Sequence, residues 1–179
     1  MSTLELQTAS AADARHAPGS VHTVLGSPIG ELTLVAADGK LTGLYFPHHW
    51  YLPDPASFGP RQDAGFGEAA RQLAAYFDGR LTEFDLPAEL RGDEFQLRVW
   101  RLIGEVGYGQ TVSYGELAAE LGDGVQARDV GAAVGRNPLS IVVPCHRVVG
   151  KDGQLTGYAG GLRRKRFLLD LEQSARRLF

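Results

Sequence analysis

Cys145 is the only cysteine among 179 residues, and it lies in the run Ile141-Val142-Val143-Pro144-Cys145-His146-Arg147-Val148-Val149-Gly150. A thiol is a strong nucleophile only as its thiolate, so its reactivity depends on a nearby base or a positive neighbourhood. His146 and Arg147 offer one of each. Neighbouring side chains of an extended segment point to opposite faces, so contact between Cys145 and His146 requires a local turn. An activated nucleophile also needs a third group to orient its base. Glu172, an acid on the last helical segment, is the candidate. Spacing alone leaves this triad open against a buried, inert thiol, the usual state of a lone cysteine.

The other chemistry-bearing residues narrow the choice. One cysteine permits neither an intrachain disulfide nor a multi-cysteine zinc site. His48 and His49 lack an obvious third ligand and read as a surface loop, so no metal site is expected. The chain is 44% hydrophobic and 22% charged, ordinary for a soluble globular protein. No apolar run approaches the roughly 20 residues of a membrane span. Residues 1–19 carry Asp13, Arg15 and His16 and no apolar stretch, so they read as a disordered tail rather than a secretory signal. These features predict an intracellular, cytoplasmic protein. The net charge of −3 is unevenly spread, at +6 over residues 126–179 and −9 over residues 1–125. A basic C-terminal third on an acidic chain is the footprint of a local DNA-binding surface.

These groups need a scaffold. Val21–Leu25, Glu31–Ala37 and Leu41–Phe46 are β-rich, separated by the turn signals Ser27-Pro28-Ile29-Gly30 and Asp38-Gly39, and predict a small antiparallel meander. Residues 47–64 read as a loop. Gly67–Phe77 places Ala70, Leu73, Ala74 and Phe77 at helical spacing. Leu81–Gly92 reads as a linker, which divides the chain into residues 20–90 and 91–179. Asp93 opens a helix with Phe95, Val99, Trp100 and Ile103 on one face. Ser113 and Glu116 have capping-box spacing for the next helix. A third runs over about Gln126–Arg136, and the pair forms a helix-turn-helix candidate. Ile141–Val143 is expected to be extended before Pro144. A glycine-rich loop, Gly150–Gly161, leads into a final helix, Leu162–Glu172. Arg164 and Arg166 read as its solvated face.

With these residues in view, the chain resembles the O6-alkylguanine-DNA alkyltransferases. Pro144-Cys145-His146-Arg147-Val148 matches that family's active-site signature. Val112-Ser113-Tyr114, Ala127-Arg128, Asn137-Pro138, Tyr158, Gly160-Gly161, Lys165 and Leu171-Glu172 fall at its functional positions. The resemblance is specific over residues 93–173 and looser over residues 21–90. It implies an α/β N-terminal domain, a small antiparallel sheet plus a helix of ribonuclease-H-like type, followed by a mostly α C-terminal domain with a helix-turn-helix. The implied activity is stoichiometric, irreversible transfer of the alkyl group from O6-alkylguanine in DNA to Cys145 after base flipping, with no cofactor and with O4-alkylthymine left open as a second substrate.

The resemblance also implies roles. Cys145 accepts the alkyl group, His146 is its base, Glu172 orients His146, and Asn137 braces the turn before the cysteine. Tyr114, Val148, Tyr158, Ala159 and Lys165 bind or support the guanine. Tyr114, Ala127, Arg128, Arg136 and Lys151 contact DNA, with Arg128 filling the vacated stack. The partner is double-stranded DNA, entered through the minor groove with little dependence on sequence. The protein acts as a monomer, with clustering along DNA left open. Ala159 replaces a serine of some members, and Asp129 places an anion beside Arg128. Competing readings are a cysteine hydrolase, for which no oxyanion-hole element is evident, and a non-enzymatic lesion sensor, which has no use for Cys145.

Overall fold

The computed structural model describes residues 4–8 and 18–176. Seven strands and five α-helices occur in it: β1 (Leu4–Thr8), β2 (Val21–Leu25), β3 (Leu32–Ala37), β4 (Lys40–Tyr45), α1 (Gly67–Phe77), β5 (Ala88–Gly92), α2 (Glu94–Glu105), β6 (Val112–Ser113), α3 (Tyr114–Leu121), α4 (Ala127–Gly135), β7 (Val148–Val149) and α5 (Leu162–Arg176). An N-terminal sheet domain is followed by a mostly helical one. Among the described residues, no helix is long and apolar enough to cross a membrane.

The expected meander is present as β2, β3 and β4, paired antiparallel. Asp38 and Gly39 both have positive φ, 49° and 75°, which suits the right-handed twist of the β3–β4 hairpin. The sheet is larger and mixed, however, with the order β1-β5-β4-β3-β2. β5 lies parallel to both β1 and β4. Two expectations are corrected here. The end of the supposed linker, Ala88–Gly92, is an inner strand whose Ala88 and Leu90 are fully buried. Leu4–Thr8, placed in a disordered tail, is the edge strand paired to it. Both strands alternate apolar and polar residues, as Leu4-Glu5-Leu6-Gln7 and Ala88-Glu89-Leu90-Arg91, but each spans only five residues and pairs with a strand far along the chain. The rest of the predicted tail lies outside the described residues.

Helix α1 buries Ala69, Gln72, Leu73 and Tyr76. This face is rotated from the expected Ala70–Leu73–Ala74–Phe77 stripe, because two polar side chains find partners inside. Gln72 exchanges hydrogen bonds with the backbone of Asp85, Nε2 to the carbonyl and Oε1 from the amide, each 2.8 Å. The segment leading to β5 is thereby pinned. Tyr76 points into the catalytic half of the molecule.

Helix α2 supports the helix-turn-helix. Its capping box, Asp93 with Gln96, forms as the spacing of polar residues allows. Trp100 donates from Nε1 to the Ala133 carbonyl of α4 at 2.8 Å, and Arg98 donates to the Leu121 carbonyl at the end of α3 at 2.7 Å. Ser113 and Glu116 form a second capping box at the start of α3. One hydrophobic core, including Leu34, Leu44, Leu90, Trp100, Val130 and Cys145, runs through both halves. Asp93→Ala should lower the stability of the chain by about 1 kcal/mol, read as a lower urea midpoint with an unchanged slope.

Candidate active site and nucleic-acid interface

The cysteine segment is a turn rather than a strand. Ile141 has φ of 73°, and Val143 donates to the Leu139 carbonyl at 2.8 Å, so the extended Ile141–Val143 expected from sequence does not form. Asn137 spans this turn, donating from Nδ2 to the Val143 carbonyl at 2.8 Å and accepting from the Leu139 amide at 3.0 Å. Cys145–Arg147 then form one 3-10 turn. It supplies the local bend that the Cys145–His146 pair requires. β7 follows at once and pairs with β6, Val112 opposite Val148, so the thiol is tied to the start of the helix-turn-helix.

The Cys145 thiol is 2% exposed, and His146 and Glu172 are fully buried. The structure brings the second and third of these together, with His146 Nε2 2.8 Å from Glu172 Oε1. Glu172 also receives Tyr76 Oη at 2.7 Å, two Arg147 guanidinium donors at 2.9 and 3.0 Å, and the Gly109 amide at 3.0 Å. Burial opposes the charge on Glu172, but these donors outweigh it and hold the carboxyl well below the usual range. An ionised carboxylate can only accept, so Nε2 of His146 carries the hydrogen. Burial in turn pushes the imidazole down against the pull of Glu172, which keeps it neutral. Its Nδ1 is then a bare lone pair, buried and without a hydrogen-bond partner among the described residues.

Arg147 does not serve the thiol. Its guanidinium is committed to Glu172 and to the Val106 carbonyl. Burial pushes the Cys145 thiol up, against the opposing influence of Asn137, Ser140 and Lys165. The resting thiol is therefore protonated at neutral pH, and a base must remove its hydrogen.

Around the thiol, Lys165 is fully buried and donates to three carbonyls, of Val148, Thr156 and Gly157, at 2.5, 2.8 and 3.2 Å. Burial lowers its pKa to about 8, with Cys145 opposing. Lys165 clamps the glycine-rich loop shut along one side. Tyr114, half-buried, donates to the Gly157 carbonyl at 3.4 Å, with the Lys165 ammonium 5.8 Å from its ring centre. Tyr158 is buried, and its hydroxyl, like that of Ser140, has no partner among the described residues. Burial raises Tyr158 well above the ordinary tyrosine value, so it stays a donor. The carbonyls of Cys145 and Val148 each already accept one hydrogen bond, from the Val148 amide and from Lys165.

The basic C-terminal third divides in two. Arg147 and Lys165 are internal. Arg164, expected on a solvated face, donates to the Ile29 and Gly160 carbonyls at 2.8 Å each and lies over the Phe46 ring. It clamps the two domains together. Ala127, Arg128, Arg136 and Lys151 are exposed. The Arg128 side chain, 86% exposed at the start of α4, has only a loose approach from Asp129 at 3.6 Å. Asp129, in the first turn of a helix whose N-cap Gln126 makes no side-chain cap, is placed to complement the helix dipole.

Sequence reasoning missed Tyr76 and Gly109 because both come from elements remote in the chain, and neither residue type signals chemistry. The turn signal Gly107-Tyr108-Gly109 marked only a helix end. His49, assigned to a surface loop, is buried and packs edge-on against Tyr45 and flat against Phe46. No group of three His, Cys, Asp or Glu side chains placed to hold a metal occurs among the described residues.

Comparison with known proteins agrees with this geometry. A family model described as "6-O-methylguanine DNA methyltransferase, ribonuclease-like domain" matches residues 20–90, and "6-O-methylguanine DNA methyltransferase, DNA binding domain" matches residues 94–174. The methylated-DNA–protein-cysteine methyltransferase of Mycolicibacterium paratuberculosis is 51% identical over 154 residues, spanning 85% of this chain and 92% of that protein. The protein of the same name from Methanosarcina acetivorans is 42% identical, over 86% of this chain and 98% of its own length. The crystal structure of Mycobacterium tuberculosis OGT in complex with DNA matches with a TM-score of 0.81 and 49% identity, covering 87% of this chain and 94% of that one. The chain therefore belongs to the 6-O-methylguanine DNA methyltransferase family.

Proposed function

We propose that this chain repairs O6-alkylguanine in DNA by direct, irreversible transfer of the alkyl group to Sγ of Cys145. The observation that carries this reading is the buried thiol followed by a neutral imidazole whose Nε2 is fixed on Glu172 and whose Nδ1 is bare. His146 takes the thiol proton at Nδ1, through a bridging water, as a positioned general base does. The thiolate attacks the alkyl carbon in line with the C–O6 bond. The S–C bond forms, the C–O6 bond breaks, and the electron pair goes to the guanine. Tyr158 Oη and the Ala159 amide stabilise the charge developing at O6. The proton taken from the thiol passes from His146 to the guanine anion, so the products are neutral guanine and a thioether. A thioether has no facile leaving path, so each protein acts once.

A thiol this deeply buried cannot reach a stacked base. The nucleotide must rotate out, at a cost of about a few kcal/mol. Exposed Arg128 at the start of α4 fills the gap it leaves, and α4 lies in the minor groove with Ala127 against the backbone. Tyr114 crowds the adjacent phosphate, while Arg136 and Lys151 add sequence-independent phosphate contacts. The second lone pairs of the Cys145 and Val148 carbonyls accept from guanine's exocyclic amine. O4-alkylthymine has no such amine and is read less well. The chain works as a monomer.

Three outcomes follow from these roles. Incubation with duplex DNA bearing O6-methylguanine should add the mass of one methyl group, mapped to Cys145, and Cys145→Ser should gain none; no gain, or a gain elsewhere, removes the proposal. Arg128→Ala should slow repair of duplex DNA more than reaction with a free O6-alkylguanine base. Equal slowing would leave Arg128 no role in flipping. The third concerns pH. Protonated His146 cannot take the thiol proton, and its pKa is depressed, so the rate should hold at pH 6.5 and fall only at lower pH. Tyr76→Phe removes a donor from Glu172, whose carboxylate then attracts the imidazolium more strongly. The acid limb should move to higher pH, whereas a purely structural role for Tyr76 would cost stability and leave the limb in place.

A further inference from the structure

Trp50 and Tyr51, 52% and 59% exposed, are the most exposed large hydrophobic side chains among the described residues. They lie in the loop after β4, in the N-terminal domain. The backbone there is strained: His48 and Tyr51 have φ of 59° and 56°, a region that bulky L-residues rarely adopt. Such strain persists only where the surroundings impose it, and it clusters at functional positions. Here the Trp50 amide donates to the Ala159 carbonyl at 3.0 Å, which latches the loop to the segment carrying Tyr158.

The two rings lie along the helix and loop that frame the cysteine site. A methyl group on Gly157 would sit 3.6 Å from Cζ3 of Trp50, and one on Gly135, in the last turn of α4, would sit 3.6 Å from Cε2 of Tyr51. One turn earlier on α4, a methyl group on Gly131 would sit 3.8 Å from Tyr114, which also reaches Gly157. Trp50 and Tyr114 thus both adjoin Gly157, each resting on a glycine of α4. The Arg136 guanidinium lies over the Tyr51 ring, 4.4 Å from its centre.

We propose that Trp50, Tyr51 and Arg136 form a shelf that receives the lesion-bearing DNA strand beside the active site, with the rings against an unstacked base or sugar and Arg136 against a phosphate. This rests on the function proposed above. The strand that carries the flipped nucleotide leaves the regular helix beside the site, and aromatic rings with a cation beside them are what an unstacked strand takes. The shelf is continuous with α4 through Gly135, and its cation is Arg136, the residue that follows the helix.

The test uses the two tryptophans. Trp100 is buried at 2% exposure, so acrylamide quenching reports Trp50. Saturating duplex bearing O6-methylguanine should shield Trp50 from acrylamide, and the shielding should vanish in Trp50→Phe. Tyr51→Ala should weaken duplex binding about tenfold. Undiminished quenching of Trp50 at saturation, or unchanged affinity in Tyr51→Ala, would overturn the shelf. Intact mass on the same wild-type sample separates the two ideas. Methyl transfer with Trp50 still open to acrylamide removes the shelf alone, whereas absent transfer removes the function and the shelf with it.

Discussion

The carboxylate of Glu172 carries a full charge out of reach of water, and much of the surrounding architecture exists to satisfy it. An unpaired buried charge costs several kcal/mol, so every donor must be in place. Oε1 receives Tyr76, His146 and one Arg147 nitrogen; Oε2 receives Gly109 and the other. These donors come from α1, from the loop before β6 and from the turn that carries the thiol. One carboxylate therefore joins the N-terminal domain, the approach to the helix-turn-helix and the nucleophile. The same charge fixes the tautomer of His146, and through it the face that the imidazole turns toward chemistry.

Burial has opposite effects along this chain of contacts. It keeps the thiol protonated and the imidazole neutral, because either charge would lie out of reach of water. A permanently ionised thiol would be open to other electrophiles and oxidants. The protein instead keeps the thiol protonated and buried, next in sequence to a neutral imidazole. Lys165 contributes less through its charge on sulfur than through three carbonyls that keep the glycine-rich loop folded over the site.

The N-terminal domain is part of the site's construction. Tyr76 reaches the carboxylate, Trp50 is latched to Ala159, and Arg164 returns from α5 to Ile29 and Gly160. The Leu44 amide also donates to the Pro138 carbonyl just after Asn137. Two matched domains share one core, and the seam between them runs past the Glu172 carboxylate and the Asn137 turn.

The linear sequence determined what is local. Capping boxes at Asp93 and Ser113, the Asp38-Gly39 hairpin and the nucleophile beside its base depend on residues a few positions apart, so spacing is enough to read them. Tertiary structure decided what depends on distant partners. The face of α1 turned by one residue because Gln72 and Tyr76 had polar partners inside, which a hydrophobic stripe does not register. β1 and β5 became strands because each completes a sheet whose other members lie far along the chain. Arg147 and Arg164, charges on paper, were drawn inward by a carboxylate and by backbone carbonyls. Cys145 and His146 were legible as a pair from sequence, but their protonation states were not, because burial sets those states and burial belongs to the whole fold.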